Sequence, residues 1–208
     1  KPMEMTRHTV SVPMPDGAEP VERTLYSTIY GPLVAMPQVG LAWTDTMAFS
    51  MRDANSANQR ALGTWVRIAQ ATNVDDVRKA VTETLGIPWV NTIVADRYGN
   101  ALHADVTSVP NVSAEKVAEC ATPFSGLVAS RLTLLDGSRS QCNWTIAEGT
   151  PVPGLMPASD QAIQQRRDSV ANSNDSYWLS NASAPHAQLS PILGAWGTPV
   201  SLRTRANF

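Results

Sequence analysis

Strands and helices fall in blocks along this chain rather than in strict alternation, and that order predicts an α+β fold. Three observations carry the expectation. Residues 4–12 and 21–30 alternate polar and apolar side chains on either side of Pro15-Asp16-Gly17, the pattern of two strands joined by a turn. Residues 56–71 and 74–85 then carry apolar stripes with helical spacing. Strand-like sequence returns at 87–95 and 101–109, about the turn Asp96-Arg97-Tyr98-Gly99-Asn100.

The first strand sets Val10 and Val12 against Thr9 and Ser11, and the second ends in Thr24-Leu25-Tyr26-Ser27-Thr28-Ile29-Tyr30. Gly31-Pro32 breaks it before Leu33-Val34. Residues 40–51 read as a further strand, with Leu41, Trp43, Met47 and Phe49 among Thr and Asp. The first helix, 56–71, places Leu62, Trp65, Val66 and Ala69 on one stripe. The second, 74–85, is capped by Asn73, carries Asp75 and Asp76 where the helix dipole favours them, and stripes Val74, Val77, Val81 and Leu85. Gly86 is expected to end it as a left-handed C-terminal residue. A short helix is expected at 113–120, an irregular Pro/Gly-rich stretch at 121–160, and a strand or short helix at 161–171.

At 208 residues the chain has the length of about one domain. With 43% hydrophobic and 16% charged residues it has a soluble globular composition, and the low charge suggests that part of the surface faces another chain. A net charge of −2 leaves no electrostatic footprint for nucleic acid. No run approaches the ~18 apolar residues of a membrane span. The chain opens Lys1-Pro2-Met3, without an initiator Met or a signal-peptide apolar core. The two cysteines, Cys120 and Cys142, have no metal or redox spacing. They are either two buried thiols or a disulfide; a bridge closing a loop of about 20 residues contributes ~3 kcal/mol and implies export.

Familiar catalytic motifs are missing. His8, His103 and His186 have no zinc-binding spacing and read as ordinary surface or strand histidines. Asp45, Asp53, Asp96 and Asp105 fall near strand ends without forming an acid/base pair. There is no G-x-S-x-G and no phosphate loop. Asn-x-Ser/Thr sequons stand at Asn111, Asn143, Asn174 and Asn181. Trp65 and Trp89 are either core residues or the wall of an apolar pocket for an acyl or aromatic group. The stretch Asn172-Ser173-Asn174-Asp175-Ser176 is a polar turn followed at once by Tyr177-Trp178-Leu179. A rigidly held Asn amide there is a neutral donor that can be aimed at a developing oxyanion.

These residues resemble a known family. "NSNDSYWLSN" (172–181), followed by "SPILG" (190–194) and "RTR" (203–205), is similar to the β-subunit of the penicillin acylase (penicillin amidase) family, in its acyl-homoserine lactone and aculeacin A acylase branch. "YSTIYGPLV" (26–34), "LAW" (41–43), "MRDAN" (51–55), "GIPWVNT" (86–92), Ala95-Asp96 with Gly99-Asn100, and the two cysteines fit the same pattern in order. The resemblance implies the four-layer αββα sandwich of N-terminal nucleophile hydrolases. It implies a self-processing precursor whose new β-chain N-terminal Ser, Thr or Cys attacks the amide of an N-acyl substrate, with its own α-amino group as base. On this chain it assigns Asn174 to the oxyanion hole and Arg203 to orienting it, with Arg205 as the competing position. Trp65, Trp89 and Val90 fall at acyl-pocket positions, and Asn172 and Asp175 shape the loop. Lys1 is not the Ser, Thr or Cys that the resemblance requires of a β-chain N-terminus. Residues 1–208 are therefore expected to be one fragment from the middle of the β-subunit, inactive alone, with nucleophile and α-subunit upstream and more β-subunit downstream. The implied partners are those segments and a small N-acyl substrate (acyl-homoserine lactone, lipopeptide or β-lactam), with no cofactor, metal, nucleic acid or membrane, in a secreted or periplasmic setting. The competing reading is a non-catalytic structural or interaction domain of the same fold; a carbohydrate-binding module ranks lower.

Overall fold

The structure, a computed structural model, describes residues 2–129 and 132–207. In chain order its elements are β1 (Glu4–Met14), β2 (Gly17–Thr28), β3 (Gly31–Val34), β4 (Phe49–Ser50), α1 (Arg60–Gln70), α2 (Val74–Thr84), β5 (Thr92–Ala95), β6 (Ala101–Asp105), α3 (Ala114–Glu119), α4 (Ser125–Val128), β7 (Ala162–Arg166) and α5 (Leu202–Ala206). The fold is α+β with two antiparallel sheets, ordered β1-β2-β3-β4 and β5-β6-β7. The chain forms two compact units, one from Lys1–Asp53 and Ala121–Ser140, the other from Ala54–Cys120 and Gln141–Phe208.

In the first unit, Pro15 and Asp16 turn β1 into β2, and the hairpin pairs from Glu4↔Ser27 to Met14↔Gly17. The strand expected at 40–51 shrinks to Phe49–Ser50. The Thr44 hydroxyl accepts from the Thr46 and Met47 amides, and Thr44 N–H donates to Met47 O (2.9 Å), so a hydroxyl turn replaces the ladder there. Leu41, Phe49 and Val128 form a small core with Val34, Met36, Met47, Phe124 and Leu134. The stretch expected to be irregular thus supplies α4 and part of a core.

The second unit is built around α2. Asn73 Oδ1 accepts from the Asp76 amide (3.0 Å), as its cap position requires. Val74, Val77, Val81 and Leu85 pack with Ile87, Leu102, Ala104, Val106 and Leu155. The helix end differs from expectation: Leu85, not Gly86, takes the left-handed conformation (φ 43°). Gly86 answers a different need. A Cβ there would lie 2.1 Å from Thr64 Oγ1 and 2.8 Å from Arg60 O, so α1 comes down directly onto it. Arg60 then donates to Thr84 O (2.9 Å), Leu85 O (3.3 Å) and Ser108 Oγ (2.8 Å), capping the orphan carbonyls of α2.

This docking turns α1 over relative to its sequence stripe. The buried face centres on Thr64, fully enclosed and bonded to Thr84 Oγ1 at 2.7 Å. Leu62 (75% exposed), Trp65 and Val66 face outward. The helix also begins at Arg60 rather than at 56. The strands are shorter than expected for a related reason, since side chains take over the ladder. Pro88 has no N–H, and Asn55 Nδ2 bridges Pro88 O and Ser108 O, so β5 starts only at Thr92. Gln161 Oε1 accepts from Thr107 N–H (2.9 Å), which ends β6 early. Residues 162–166 resolve the open alternative as a strand.

Cys120 and Cys142 form a disulfide (Cα–Cα 5.6 Å). It joins the points where the chain leaves the second unit and returns to it. Lys116 Nζ reinforces this neck by donating to Gln141 O and Asn143 O.

Strand β6 buries both faces. Leu102 and Ala104 meet the α2 core, while His103 projects oppositely and is fully enclosed. Residues 177–189 cover that second face. Ser180 Oγ donates to Gln164 Oε1, Gln164 Nε2 donates to Ala184 O, and the Tyr177 hydroxyl accepts from Leu189 N–H. The His103 ring lies 6.4 Å from that of His186, with Nε2 on Asn91 Oδ1 (2.8 Å). His103 is therefore a core residue, not a surface one. Burial, and then the neighbouring His186, push it down to about 4. Burial pushes Asp105, near the Tyr177 phenol on the same side, up to about 6.

Two outcomes are expected. Gly86→Ala should cost about 1–3 kcal/mol by overpacking. Gly63→Ala, whose Cβ meets nothing within 4 Å, should stabilise α1 by up to about 1 kcal/mol. Urea unfolding of the two variants reads both, and equal midpoints would contradict the close approach.

The second concerns acid. The folded chain keeps His103 neutral, so its contribution is present above pH 6.5 and lost as pH falls toward 4. His186, also lowered by burial, acts the same way. Asp105 opposes them: its folded carboxyl holds a proton that the unfolded chain releases, a contribution present below pH 3.8 and lost as pH rises through about 6. Asp105→Asn removes the opposing slope. Its unfolding free energy should fall more steeply than wild type between pH 6 and 4, by up to about 1.4 kcal/mol per pH unit. Parallel curves would show that Asp105 does not take up this proton.

Candidate functional site

The polar stretch before Tyr177 is a closed, internally bonded turn. Ala171 N–H donates to Ser180 O (2.8 Å) across its mouth. Asn172 Oδ1 accepts from Asn174 N–H (2.7 Å), and Asn172 Nδ2 donates to Asp175 O (3.1 Å). This side-chain mimic of a turn holds Asn174 at φ 65°, a left-handed conformation that Asn tolerates better than most residues. The apolar trio fixes the turn from below. Tyr177–Leu179 is a single 3-10 turn in which Tyr177 is fully buried, and the Trp178 ring lies 6.4 Å from that of Trp196. Trp196 Nε1 in turn donates to His186 O (2.8 Å). Gly194, at φ 126°, lets the 190–194 segment close on the turn, since a Cβ there would lie 2.7 Å from Ser176 Oγ.

Asn174 is the exposed residue of this turn. Arg203, on α5, reaches it. One Nη2 donates to Ser173 O (2.7 Å) and to Asn174 Oδ1 (3.3 Å). A guanidinium carries donors only, so the amide end facing it must be the oxygen. The NH₂ end of Asn174 therefore points away from Arg203, and among the described residues nothing accepts from it. The side chain of Arg205, two positions on, makes no hydrogen bond or ion pair among the described residues, so Arg203 is the arginine that meets the turn.

Helix α5 has no counterpart in the sequence reading. Its one local signal is Ser201 at the N-cap, whose Oγ accepts from Thr204 N–H (3.3 Å). The sequence marks Asp175 only as a residue that shapes the loop. Its Oδ2 accepts from Ser201 N–H (2.8 Å) and from the Thr204 hydroxyl, and these bonds, the hydroxyl first, hold its carboxyl below the ordinary value. Asn207 Nδ2 adds a bond to Ser173 Oγ (2.6 Å).

The expected pocket residues lie on open surface in this chain. Trp65 is 48% exposed on the outer face of α1, and Trp89 and Val90 are 76% and 46% exposed before β5. Among the described residues no ring contact joins the two tryptophans. An open cleft lined by Asn100, Gln165, Arg166, Arg167 and Asp168 contains none of the expected site residues. Among the described residues no group of three or more His, Cys, Asp or Glu side chains is placed to hold a metal ion. None of the described helices is long and apolar enough to cross a membrane.

Comparison with known proteins gives a consistent result. The sequence profile of the penicillin amidase family matches residues 1–207. The chain is 40% identical over 205 residues to the acyl-homoserine lactone acylase PvdQ of Pseudomonas fluorescens, covering 98% of this chain and 26% of that protein. It is 39% identical over 210 residues to the aculeacin-A acylase of Actinoplanes utahensis, covering 100% of this chain and 26% of that protein. The solved thermostable penicillin G acylase from Alcaligenes faecalis matches with a TM-score of 0.58 and 18% identity, over 93% of this chain and 29% of that one. At that identity the likeness concerns the fold alone. The chain spans about a quarter of the length of the curated relatives it matches.

Proposed function

The chain belongs to the penicillin amidase family, in the branch of the acyl-homoserine lactone and aculeacin acylases, and we propose that it is a segment of an amidohydrolase that cleaves N-acyl substrates. Its two sheets and their helices belong to the αββα architecture of N-terminal nucleophile hydrolases. The substrate class is an acyl-homoserine lactone, a lipopeptide or a β-lactam. The nucleophile, an N-terminal Ser, and the backbone N–H that shares the oxyanion lie in parts of the protein outside these 208 residues. The partners of this segment are the remaining β-subunit and the α-subunit of the same precursor. The disulfide supports a secreted or periplasmic setting.

The observation that carries this reading is the Arg203–Asn174 contact. Attack on an amide carbonyl turns its oxygen into an oxyanion, which needs donors already aimed at its position. Arg203 holds Oδ1 and leaves the Asn174 NH₂ to donate outward. The cation also polarises the amide, which makes that NH₂ a better donor. Trp65, Trp89 and Val90 serve as apolar wall for the acyl chain once the remaining segments cover them. The exposed apolar face of Leu62, Trp65 and Val66, continued in kind by Trp89, Val90 and Ile93 (48% exposed), favours this over a free-standing binding domain, whose surface would be polar all round.

The test is made in the complete protein, expressed from the gene with its flanking sequence. Asn174→Ala should lower turnover of an N-acyl amide by about 100–1,000-fold, while stability falls by no more than the roughly 1–2 kcal/mol that Ala costs in the left-handed conformation of this position. Arg203→Ala should lower it in the same direction, and Arg205→Ala should leave it near wild type. Residues 1–208 alone should show no hydrolysis. Wild-type turnover in Asn174→Ala would remove this residue from the oxyanion hole.

A further inference from the structure

We propose that Asp175 is a positioning residue of this site, whose carboxylate holds the first turn of α5 and so fixes the Arg203 guanidinium on the Asn174 amide. The inference rests on the reading of Asn174 and Arg203 given above. It starts from the weakness of α5 itself. A helix of five residues, Leu202–Ala206, is far below the length at which a helix persists alone. Leu202 is 80% exposed and only Thr204 is buried, so packing gives α5 little to stand on. Its geometry therefore depends on its caps.

Two groups supply them. Ser201 Oγ takes the Thr204 amide. Asp175 Oδ2 takes the Ser201 amide and the Thr204 hydroxyl together. These are bonds to a charged acceptor, the stronger kind. The same residue is tied into the turn on its other side, where its carbonyl accepts from Asn172 Nδ2. Asp175 thus links the two pieces that must be in register: the turn presenting Asn174 and the helix presenting Arg203. The residues on either side of the link sit next to the working ones, Asp175 beside Asn174 and Ser201 two positions before Arg203.

The charge of Arg203 is the least of the influences on the Asp175 carboxylate, after its bonds to Thr204 and Ser201. Among the described residues no ion pair or hydrogen bond joins Asp175 to Arg203, and Arg203 spends its contacts on Ser173 O and Asn174 Oδ1. Loss of the Asp175 acceptor would free α5 to fray, and an exposed Arg203 would then sample orientations away from Oδ1. The Asn174 amide would lose the partner that decides which end faces outward. The effect should fall on the chemical step, because Asp175 faces α5 rather than the substrate.

The experiment uses the complete enzyme with a fatty-acyl p-nitroanilide as probe. Asp175→Ala should lower kcat by about 10–100-fold, the scale of a misplaced catalytic group, with KM changed less than twofold. Asp175→Asn keeps an oxygen acceptor at the same place and should recover most of that loss. Thr204→Val, which removes one of the two donors without changing shape, should fall between wild type and Asp175→Ala, and it carries the test if Asp175→Ala does not fold. The deciding measurement is the pair made in an Arg203→Ala background. There, Asp175→Ala should cost kcat nothing further, because it acts through Arg203. An equal loss in both backgrounds would overturn the proposal, as would wild-type kcat in both Asp175→Ala and Thr204→Val. If Asn174→Ala also keeps wild-type kcat, the reading of the site itself has failed; if Asn174→Ala and Arg203→Ala lose turnover while the Asp175 and Thr204 variants keep it, only this inference has.

Discussion

Strand β6 must be covered on both faces, and the second cover determines where the site stands. Leu102 and Ala104 are buried against α2, and His103 is buried on the opposite side. An enclosed imidazole cannot be left against water-filled space without losing its burial, so the chain lays residues 177–189 over it. That segment is pinned by Gln164, which bonds both Ser180 and Ala184, and by Tyr177, whose hydroxyl is held by Leu189 N–H. Tyr177 is the first residue after the polar turn. Once its ring is buried, the direction in which residues 172–176 leave the sheet is fixed. The proximity of apolar and polar sequence there follows from one requirement: a rigid turn needs an anchor immediately beside it.

Rigidity in that turn comes from side chains bonding to backbone. Asn172 uses both ends of its amide on its own loop, and Asp175 uses its carboxylate on α5. The same device recurs through the second unit. Arg60 caps α2, Asn55 bridges Pro88 and Ser108, and Gln161 takes the Thr107 amide. Each replaces a regular ladder or helix bond with a side chain of fixed reach. Irregular backbone becomes well defined in this way, and the elements come out shorter than their hydrophobic pattern suggests.

This explains what was legible in the sequence and what was not. Helix α2 could be read because its signals are local: an Asn cap, two acidic residues and a four-point apolar stripe. The hairpin of β1 and β2 was legible for the same reason, and the disulfide only as one of two alternatives. Helix α1 was legible as a stripe, but not in what covers it. Its stripe of Leu62, Trp65 and Val66 is real, but in this chain it is the outer surface, while Thr64 is buried through a hydroxyl pair with Thr84. Periodicity reports which side is apolar, not which neighbour covers it. Gly86 looked like a helix stop and is instead a point of close approach, a difference invisible without Thr64 above it. Asn174 and Arg203 were singled out as candidates through family likeness. Asp175 and α5 were not, because a five-residue helix has no period and its bonds cross 26 to 29 positions of sequence.

The choice of an amide at the exposed tip has its own logic. In the proposed role of donor to an oxyanion, a Lys at that position would bring a full charge on a flexible, strongly hydrated stem, and both its rotamers and its water would have to be reorganised as charge developed. Asn174 carries a dipole on a short side chain in a turn already closed. Its orientation is set from behind, by a cation that can only donate and so can only hold the oxygen. The positive charge stands behind the amide, on its oxygen side, and under the proposed role this leaves the outward side open for substrate. Because Asn174 is exposed in this chain, burial contributes nothing to its preorganisation. That has to come from the bonds beneath it, through Asn172, Asp175 and Arg203, and this is the reason a site with one outward-facing amide has so many polar residues around it.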